Sequence, residues 1–418
     1  MITALRTRGP KTLARPLALI GAATALGLVL TGCVAKADAS AGRLSVTSTD
    51  DGCAVSAATA TSGTLAFDVT NKTSQVTEFY LLAEDGVRIV GEVENVAPGA
   101  SRTLTVVAQP GSYFTVCKPG MIGEGVGRAS FTVTGANVAV HGDDAEQKQK
   151  AVDLYAAFVK DQVGQLLPAA KAFADAYRNG DDTTAKSQFA QVRSYYERIE
   201  PVADKLGSLD PRLDYRELDA KAEGLDWTGF HRIEKDLWTP AQGALNADGA
   251  TPAWQDWAPS TPAQRGVYAD KLLADLQELY DHVHSDAFVK DLDAQGIAGI
   301  SNGAISLLDE VANGKITGEE DWWSGTDLSD FAANVEGAKM AFSLVKDFAA
   351  SKGTDGKKLV EQIDRGFRNL EAALAAHGSL DKGFVAYSTI TETDKRDLTD
   401  LLNALAEPLS KLTSTILS

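Results

Sequence analysis

The sequence predicts a multidomain protein in which a small all-β Greek-key sandwich is followed by an all-α helical bundle. Between residues 43 and 135, apolar and polar residues alternate, as in the run from Leu65 to Val69. A period of two is that of a half-buried strand. After residue 147, apolar residues recur at every third or fourth position, as in the run from Val152 to Val159. This is the period of an amphipathic helix, so the two halves belong to different structural classes.

The amino terminus has the features of a bacterial lipoprotein signal peptide. Basic residues precede an apolar run from Leu17 to Leu30, which ends in the lipobox Leu30-Thr31-Gly32-Cys33. The run has about 14 residues, fewer than the roughly 20 that a membrane-spanning helix needs. We therefore predict that residues 1–32 are cleaved and that lipid on Cys33 anchors the chain. The protein would then lie on the extracytoplasmic face of the cell membrane, periplasmic or at the cell surface; a short, uncleaved anchor is the alternative.

The chain of 418 residues is strongly acidic, with a formal net charge of −17 at pH 7. Such a surface repels nucleic acid and anionic lipid, so we expect no nucleic-acid partner. It is compatible with cationic ligands, although simple solubility of a secreted protein explains the charge equally well.

Turn signals divide the first half into about seven short strands, as expected of a small Greek-key sandwich. The sandwich is predicted to span residues 43–135. The small, polar and acidic segment 136–146 is predicted to be a linker, and residues 147–418 to form the helical bundle.

Two cysteines remain once Cys33 is assigned to lipid. An even pair in an oxidising compartment usually forms a disulfide, which predicts a bridge between Cys53 and Cys117. Ligation of a metal ion by their thiolates is the alternative.

Ionisable residues occur in the helical half where apolar residues would be expected. Glu197 and Glu200 follow two tyrosines, and His231 and Glu234 lie among aromatic and aliphatic residues. Residues three apart share one face of a helix, and such pairs on facing helices build metal sites in bundles. A carboxylate near apolar surface is costly unless a cation or hydrogen bonds compensate for it. The pattern predicts a carboxylate-rich metal site, although a solvated acidic face and a core histidine have the same spacing.

Several separated motifs together resemble the imelysin family and, more narrowly, its EfeO-type iron-uptake lipoproteins. The motifs are the Gly-x-His-x-x-Glu stretch 229–234, the Glu-x-x-Glu stretch 197–200, and the later segments 307–311 and 314–320. Proteins of this type join an amino-terminal cupredoxin-like domain to a carboxy-terminal imelysin domain. The resemblance therefore covers both predicted halves.

The resemblance implies a metal site with a defined set of ligands. The implied ligands are Glu197, Glu200, Asp214, His231, Glu234 and Glu310. Glu319 or Glu320 can take the place of Glu310, and Gly325 stands where the family pattern has a histidine. Carboxylates with one imidazole form a hard donor set that suits iron, ferrous or ferric, or manganese rather than copper(I).

The implied function is that of an iron-binding component of an uptake system, which delivers iron to a membrane iron permease. A haem peroxidase of the same system is a further implied partner, and no catalytic residue is expected. One alternative is a zinc-dependent peptidase-like enzyme, but Lys235 stands where the second histidine of a zinc-peptidase motif would be. A weaker alternative is polysaccharide binding through aromatic residues.

A copper-containing ferrous iron oxidase is the remaining alternative, because a cupredoxin-like domain can hold copper. A blue-copper site needs two histidines and a cysteine thiolate, and residues 43–135 contain no histidine. The resemblance implies a second metal site from other donors: Cys53, Glu78, Cys117 and Met121, with Glu92 as a further candidate. A disulfide between the two cysteines is the competing interpretation and the one we favour.

Overall fold

The structure is a computed structural model that describes residues 42–87, 89–121, 123–137, 144–203 and 208–417. The predicted signal peptide, Cys33 and residues 138–143 of the predicted linker lie outside the described residues. Within the described ranges, no helix is both long enough and apolar enough to span a membrane.

The amino-terminal part is a β-sandwich. Its strands are β1 Arg43–Thr49, β2 Gly52–Val55, β3 Thr59–Thr61, β4 Gly63–Asn71, β5 Thr77–Leu82, β6 Ile89–Val96, β7 Ser101–Ala108, β8 Gly111–Pro119 and β9 Val126–Thr134. Among the described residues they form one sheet of order β2-β1-β4-β7 and another of order β3-β9-β8-β5-β6. Neighbours are antiparallel except β1 with β4 and β3 with β9. The strands outnumber the predicted seven because β2 and β3, of four and three residues, are too short to show alternation.

The sandwich core lies between the two sheets and is built from the inward residues of the alternating pattern. Phe67 on β4 contacts Phe79 on β5 and Phe131 on β9, with ring centroids 5.2 and 5.6 Å apart. A disulfide between Cys53 on β2 and Cys117 on β8 joins the two sheets, with Cα atoms 5.3 Å apart. A cross-link over 64 residues restricts the unfolded chain and so stabilises this small domain.

The carboxy-terminal part is helical apart from one short hairpin. Its helices are α1 Asp144–Arg178, α2 Asp182–Glu197, α3 Glu200–Ala203, α4 Leu209–Leu213, α5 Glu217–Glu223, α6 Gly229–Leu237, α7 Pro262–Val283, α8 Asp286–Glu310, α9 Asp327–Ser351, α10 Thr354–Leu374, α11 Glu392–Leu409 and α12 Leu412–Leu417. A π-helical turn Val311–Lys315 follows α8, the hairpin strands are β10 Gly378–Ser379 and β11 Gly383–Phe384, and a 3-10 turn spans Tyr387–Thr389. The predicted fold class, an all-β sandwich followed by an all-α bundle, is confirmed.

The long helices form the frame that positions the site. Helix α1 packs against α2, α7, α8 and α9, and a continuous apolar core runs between them. The short helices α3 to α6 connect α2 to α7, and residues 316–326 connect the π-helical turn to α9. These two irregular connections meet beside α2 and α9, where the bundle core becomes polar.

The sandwich packs on α1 through the outer face of its five-stranded sheet. Tyr80 and Val116 are buried there against Ala157 of α1. A buried ion pair joins Lys118 of β8 to Asp161 of α1.

Candidate metal centre

Side chains from separate parts of the helical half meet around the imidazole of His231, which is 2% exposed. On one side of the ring, Nε2 lies 3.3 Å from Glu320 Oε1 and 3.5 Å from Asp214 Oδ1. On the other side, Nδ1 lies 3.1 Å from Glu234 Oε2 and 3.8 Å from Asp321 Oδ1. Each ring nitrogen therefore faces its own pair of carboxylates.

The glycine of the Gly-x-His-x-x-Glu motif brings α6 against the end of α4. Gly229 has φ +79°, and a Cβ atom there would lie 2.1 Å from the carbonyl oxygen of Leu213. The Thr228 hydroxyl donates to the Arg212 carbonyl at 2.8 Å, which joins the same two segments. Because Asp214 follows Leu213 directly, this close approach places its carboxylate beside His231. A side chain at position 229 would separate the two.

Glu234 is held by the backbone of the irregular segment that precedes α9. Its Oε1 accepts hydrogen bonds from the amides of Trp323 at 3.0 Å and Ser324 at 2.8 Å. Its other oxygen, Oε2, is left facing Nδ1 of His231. This is the arrangement in which a carboxylate accepts the N–H of one ring nitrogen and thereby presents the other nitrogen to a metal ion.

A fully buried arginine, Arg193, forms ion pairs with several of the carboxylates that surround His231. The guanidinium of Arg193 on α2 forms ion pairs with Asp214, with Asp321 at 3.3 Å and with Glu320 at 3.5 Å. It also contacts Asp330 of α9 at 3.0 Å, and Glu197 one turn along its own helix. Arg193 therefore partly neutralises the acids that surround His231.

A second group of acids lies around Lys315, at the end of the π-helical turn. Its ammonium donates to Glu197 Oε2 at 2.5 Å and to Glu200 Oε2 at 2.6 Å. A hydrogen bond also joins the carboxyl groups of Glu200 and Glu310. Glu197 and Glu200, expected among the ligands, thus contact Lys315 rather than His231, and Glu310 joins them through Glu200.

The distances between potential ligand atoms also place only some of the predicted ligands next to His231. In the described part of the chain, three or more potential ligand atoms lie within 4.8 Å of one another in two groups. One is Asp214, His231 and Glu320, and the other is His231, Glu234 and Asp321. Three of the six residues expected as ligands, Asp214, His231 and Glu234, therefore meet.

We use the term central cluster for the ionisable residues that lie around His231 and Lys315, together with Arg193 and the buried acids of α9. The central cluster comprises Arg193, Glu197, Glu200, Asp214, His231, Glu234, Lys315, Glu320, Asp321, Asp327 and Asp330. Its carboxyl groups outnumber its cationic side chains, and most of them are almost completely buried. Such an arrangement must retain protons or bind a cation.

The protonation of the central cluster reflects this imbalance. Burial and the charge of Arg193 lower the pKa of His231, but hydrogen bonds to Glu234 and Glu320 and the charge of Asp214 outweigh them and raise it to about 10. Burial raises the pKa of Asp327 to about 7, and that of Asp330 well above the usual range of a carboxyl group. Without a bound cation, the cluster therefore holds protons on the imidazole and on some carboxyl groups near neutral pH.

Glu320 differs from these acids. Burial raises the pKa of its carboxyl group, but the hydrogen bond from His231 and the charges of Lys315 and Arg193 outweigh burial and hold the pKa below its usual range. Glu320 is therefore a carboxylate at any pH near neutrality, as a metal ligand must be.

A cavity of about 120 Å³ leads to the His231 side of the cluster. Its lining includes Glu320, Arg216, Trp227 and Trp323, besides His231 itself. Trp322, which also lines it, is 41% exposed at the protein surface. The cavity gives a small cation a path to the imidazole.

Several members of the central cluster were not expected from the sequence, namely Arg193, Lys315, Asp321, Asp327 and Asp330. Glu320 was expected only as an alternative to Glu310. Part of this set could have been predicted from the sequence, because Asp327, Asp330 and Asn334 lie three and four residues apart and therefore share one face of α9. Lys315 carries no such signal, since its partners Glu197 and Glu200 are more than a hundred residues away.

Cys53, Cys117 and Glu78 do not come together as ligands of the second metal site suggested for the sandwich. Cys53 and Cys117 are bonded to each other, so neither offers a thiolate. Glu78 is opposite Lys118 in the sheet, whereas Cys117 is opposite Phe79 of the core. Because successive residues of a strand point to opposite faces, Glu78 and Cys117 lie on opposite sides of the sheet. The Glu78 carboxylate accepts a hydrogen bond from Tyr80 at 2.6 Å, on the side that faces α1.

Comparison with known proteins agrees with this architecture. The family model for imelysin matches residues 151–412, and that for the cupredoxin-like domain matches residues 22–126. The iron uptake system component EfeO of Escherichia coli O157:H7 is 33% identical over 372 residues, which cover 88% of this chain and 90% of that protein. The EfeO proteins of Escherichia coli K12 and Shigella flexneri match with the same identity and coverage. The chain belongs to the imelysin family and, within it, to the EfeO type that carries an amino-terminal cupredoxin-like domain.

Proposed function

We propose that this protein is the extracytoplasmic iron-binding component of an iron-uptake system and delivers iron to a membrane permease. The single observation that supports this best is the buried imidazole of His231 with Asp214 and Glu320 at its Nε2 side, inside a cluster with too few cations for its acids. The EfeO relatives are named as iron uptake system components, which agrees with such a role.

In this proposal the ion binds to His231 Nε2, Asp214 and Glu320. Their atoms lie within 4.8 Å of one another, so small side-chain movements are sufficient to enclose one ion. Glu234 accepts the proton of Nδ1 and thereby keeps Nε2 free for the ion. Oxygen donors with one imidazole suit ferrous or ferric iron and manganese.

The same cluster supplies a means of release. Arg193 contacts both Asp214 and Glu320, and so competes with the ion for its carboxylates. A proton competes for Nε2, because the pKa of His231 is raised to about 10 by Glu234, Glu320 and Asp214 against the opposing effects of burial and Arg193. An iron carrier must release its cargo, and this competition keeps binding reversible.

A binding role is supported over a zinc peptidase by the surroundings of Lys235. Its ammonium is buried, donates to Glu217, and lies 4.9 Å from the ring centroids of both Trp257 and Trp323. The position that would carry the second zinc-binding histidine is therefore part of the packing. A copper oxidase is disfavoured because the sandwich cysteines are bridged.

The remaining parts of the proposal concern the location and the partners. Lipid on Cys33 would hold the protein at the outer face of the membrane, next to the permease. A haem peroxidase of the same uptake system is the second expected partner.

The proposal is tested by measuring iron accumulation in the bacterium that carries this gene. The chromosomal copy is replaced by the His231→Ala variant, and radioactive iron uptake is compared with that of wild-type and deletion strains. We expect uptake at limiting iron to fall to the level of the deletion, with the variant protein present at normal abundance. Uptake equal to that of the wild type would overturn the proposal.

A further inference from the structure

Lys315 occupies a cage of oxygen atoms next to the proposed iron site. Its ammonium lies 2.5 Å from Glu197 Oε2 and 2.6 Å from Glu200 Oε2, and its side chain is 3% exposed. Glu310 reaches the same cage through its hydrogen bond with Glu200. Two carboxylates thus contact one ammonium nitrogen, and a third carboxyl group is hydrogen-bonded to one of them.

Asn334 of α9 completes the cage and has an unused ligand atom. Its amide nitrogen donates to Glu197 Oε2 at 3.0 Å and to Glu200 Oε2 at 2.7 Å. The residue is fully buried, and its Oδ1 has no hydrogen-bond partner in the described structure. Turning the amide by 180° would direct this oxygen into the cage in the same space. An unpaired buried oxygen is costly and is relieved by a cation.

The chemistry of the cage is that of a site for a hard divalent cation. Carboxylate and amide oxygens are the donors that Mn²⁺ and similar ions prefer. Helical bundles hold pairs of such ions between glutamate residues on facing helices. Here α2, α3, α8 and α9 contribute the oxygen donors, and an ammonium stands where the ion would be.

The backbone that presents Lys315 is unusual. It is the last residue of the π-helical turn Val311–Lys315, which extends α8. Single π-turns within α-helices are frequently found at functional sites. Here the turn directs the ammonium inward, to Glu197 and Glu200.

We propose that Lys315 fills a second cation site with its own ammonium and thereby limits the centre to one metal ion. This inference rests on the proposed function, because it concerns the neighbour of the iron site at His231. Lys315 is then a specificity-determining residue. It keeps a carboxylate-rich bundle mononuclear instead of allowing two adjacent ions.

The test compares the wild-type protein with Lys315→Met, which removes the charge at similar length. Lys315→Arg retains the charge, and Lys339→Met removes a lysine that pairs with Glu371 at the surface of α9. Equilibrium dialysis with Mn²⁺ should give one ion per chain for the wild type and both controls. It should give two ions for Lys315→Met. A single ion bound by Lys315→Met with wild-type affinity would overturn the proposal.

Thermal unfolding supplies a second readout. Without the ammonium, the cage acids repel one another, so Lys315→Met should melt below the wild type in a chelator and gain more from Mn²⁺ than the wild type does. If the variant is insoluble without metal, recovery by folding in Mn²⁺ supports the proposal. Equal failure with and without Mn²⁺ would contradict it.

Failure of this inference is distinguishable from failure of the proposed function. The His231→Ala variant tests the proposed function, because it removes the imidazole of the iron site and leaves the residues around Lys315 unchanged. Combining the two changes should leave one ion, held at Glu197 and Glu200. If the double variant binds no ion while Lys315→Met binds one, the result supports the iron site at His231 and contradicts the second site at Glu197 and Glu200.

Discussion

Helix α6 carries two sets of buried charges, which differ in the balance of acids and cations. In the first set, Arg232 pairs with Asp236 at 2.9 Å and Lys235 donates to Glu217, so each cation has its own acid. The second set, His231 and Glu234, belongs to the central cluster, where acids outnumber cations. All five of these α6 side chains are almost completely buried.

The comparison shows that burial of charge alone does not mark a binding site. A balanced pair is internally satisfied and contributes to a specific packing, whereas an unbalanced group must hold protons or a foreign cation. Burial, and to a smaller extent the charges of Glu234 and Glu320, raise the pKa of Asp327 to about 7, so this acid holds a proton near neutral pH. Four changes to metal affinity, in decreasing order of expected effect, test whether the two sets of α6 charges differ in function.

The largest loss is expected from Glu320→Gln, which removes the carboxylate nearest to His231 Nε2. The neutral amide is a poorer ligand than the carboxylate and reduces the negative charge around the ion. We therefore expect metal affinity to fall about a hundredfold or more. Isothermal calorimetry with Mn²⁺ measures this directly. Glu319→Gln is the matched control, since its half-exposed side chain lines the cavity without contacting His231; the account fails if both variants lose affinity equally.

A smaller loss is expected from Glu234→Gln. The glutamine oxygen would keep the hydrogen bonds from Trp323 and Ser324, so its amide N–H₂ group would face Nδ1 of His231. The imidazole would then have to carry its proton on Nε2, the nitrogen needed by the ion. We expect a ten- to hundredfold weaker affinity with an unchanged stoichiometry. Unchanged affinity in calorimetry would show that Glu234 does not orient the ring.

Metal affinity should rise with pH. His231 is protonated in the unloaded site near neutral pH, because Glu234, Glu320 and Asp214 raise its pKa to about 10 against burial and Arg193. A bound ion displaces this proton, so affinity should increase about tenfold per pH unit for each proton released below that pKa. Titrations with Mn²⁺ at about pH 6, 7 and 8 measure the slope. A flat profile would mean that no proton leaves when the ion binds.

The smallest change in affinity is expected from Lys235→Met, in the balanced set of α6 charges. Removing the ammonium leaves the buried carboxylate of Glu217 with the partly exposed Lys221 as its remaining ion-pair partner among the described residues, at 2.9 Å. Urea unfolding should show a loss of about 3 kcal/mol, typical of a broken buried pair. Mn²⁺ affinity of the folded variant should stay within about threefold of the wild type. A loss of Mn²⁺ affinity as large as that of Glu320→Gln would remove the distinction between the two sets of charges.

The fold class and part of the site were predictable from the sequence for physical reasons. Periodicity is a local property, so the alternation around Phe67 and the helical spacing after Val152 were sufficient for the two halves. His231 and Glu234 are one helical turn apart, and the family motif added Asp214. The role of Lys315 depends on a π-helical turn and on contacts with α2 and α3, which no local pattern contains. The sequence also could not decide whether Glu310 or Glu320 lies beside His231, because the two residues are close in sequence and the chain changes direction between them.

The central claim is that one metal ion binds to Nε2 of His231 together with Asp214 and Glu320. Anomalous diffraction from crystals of the protein grown with Mn²⁺ tests it most directly. We predict one peak within bonding distance of all three side chains, with Glu234 still on Nδ1. A peak bonded to Nδ1, or found only between Glu197 and Glu200 in place of the Lys315 ammonium, would contradict the account.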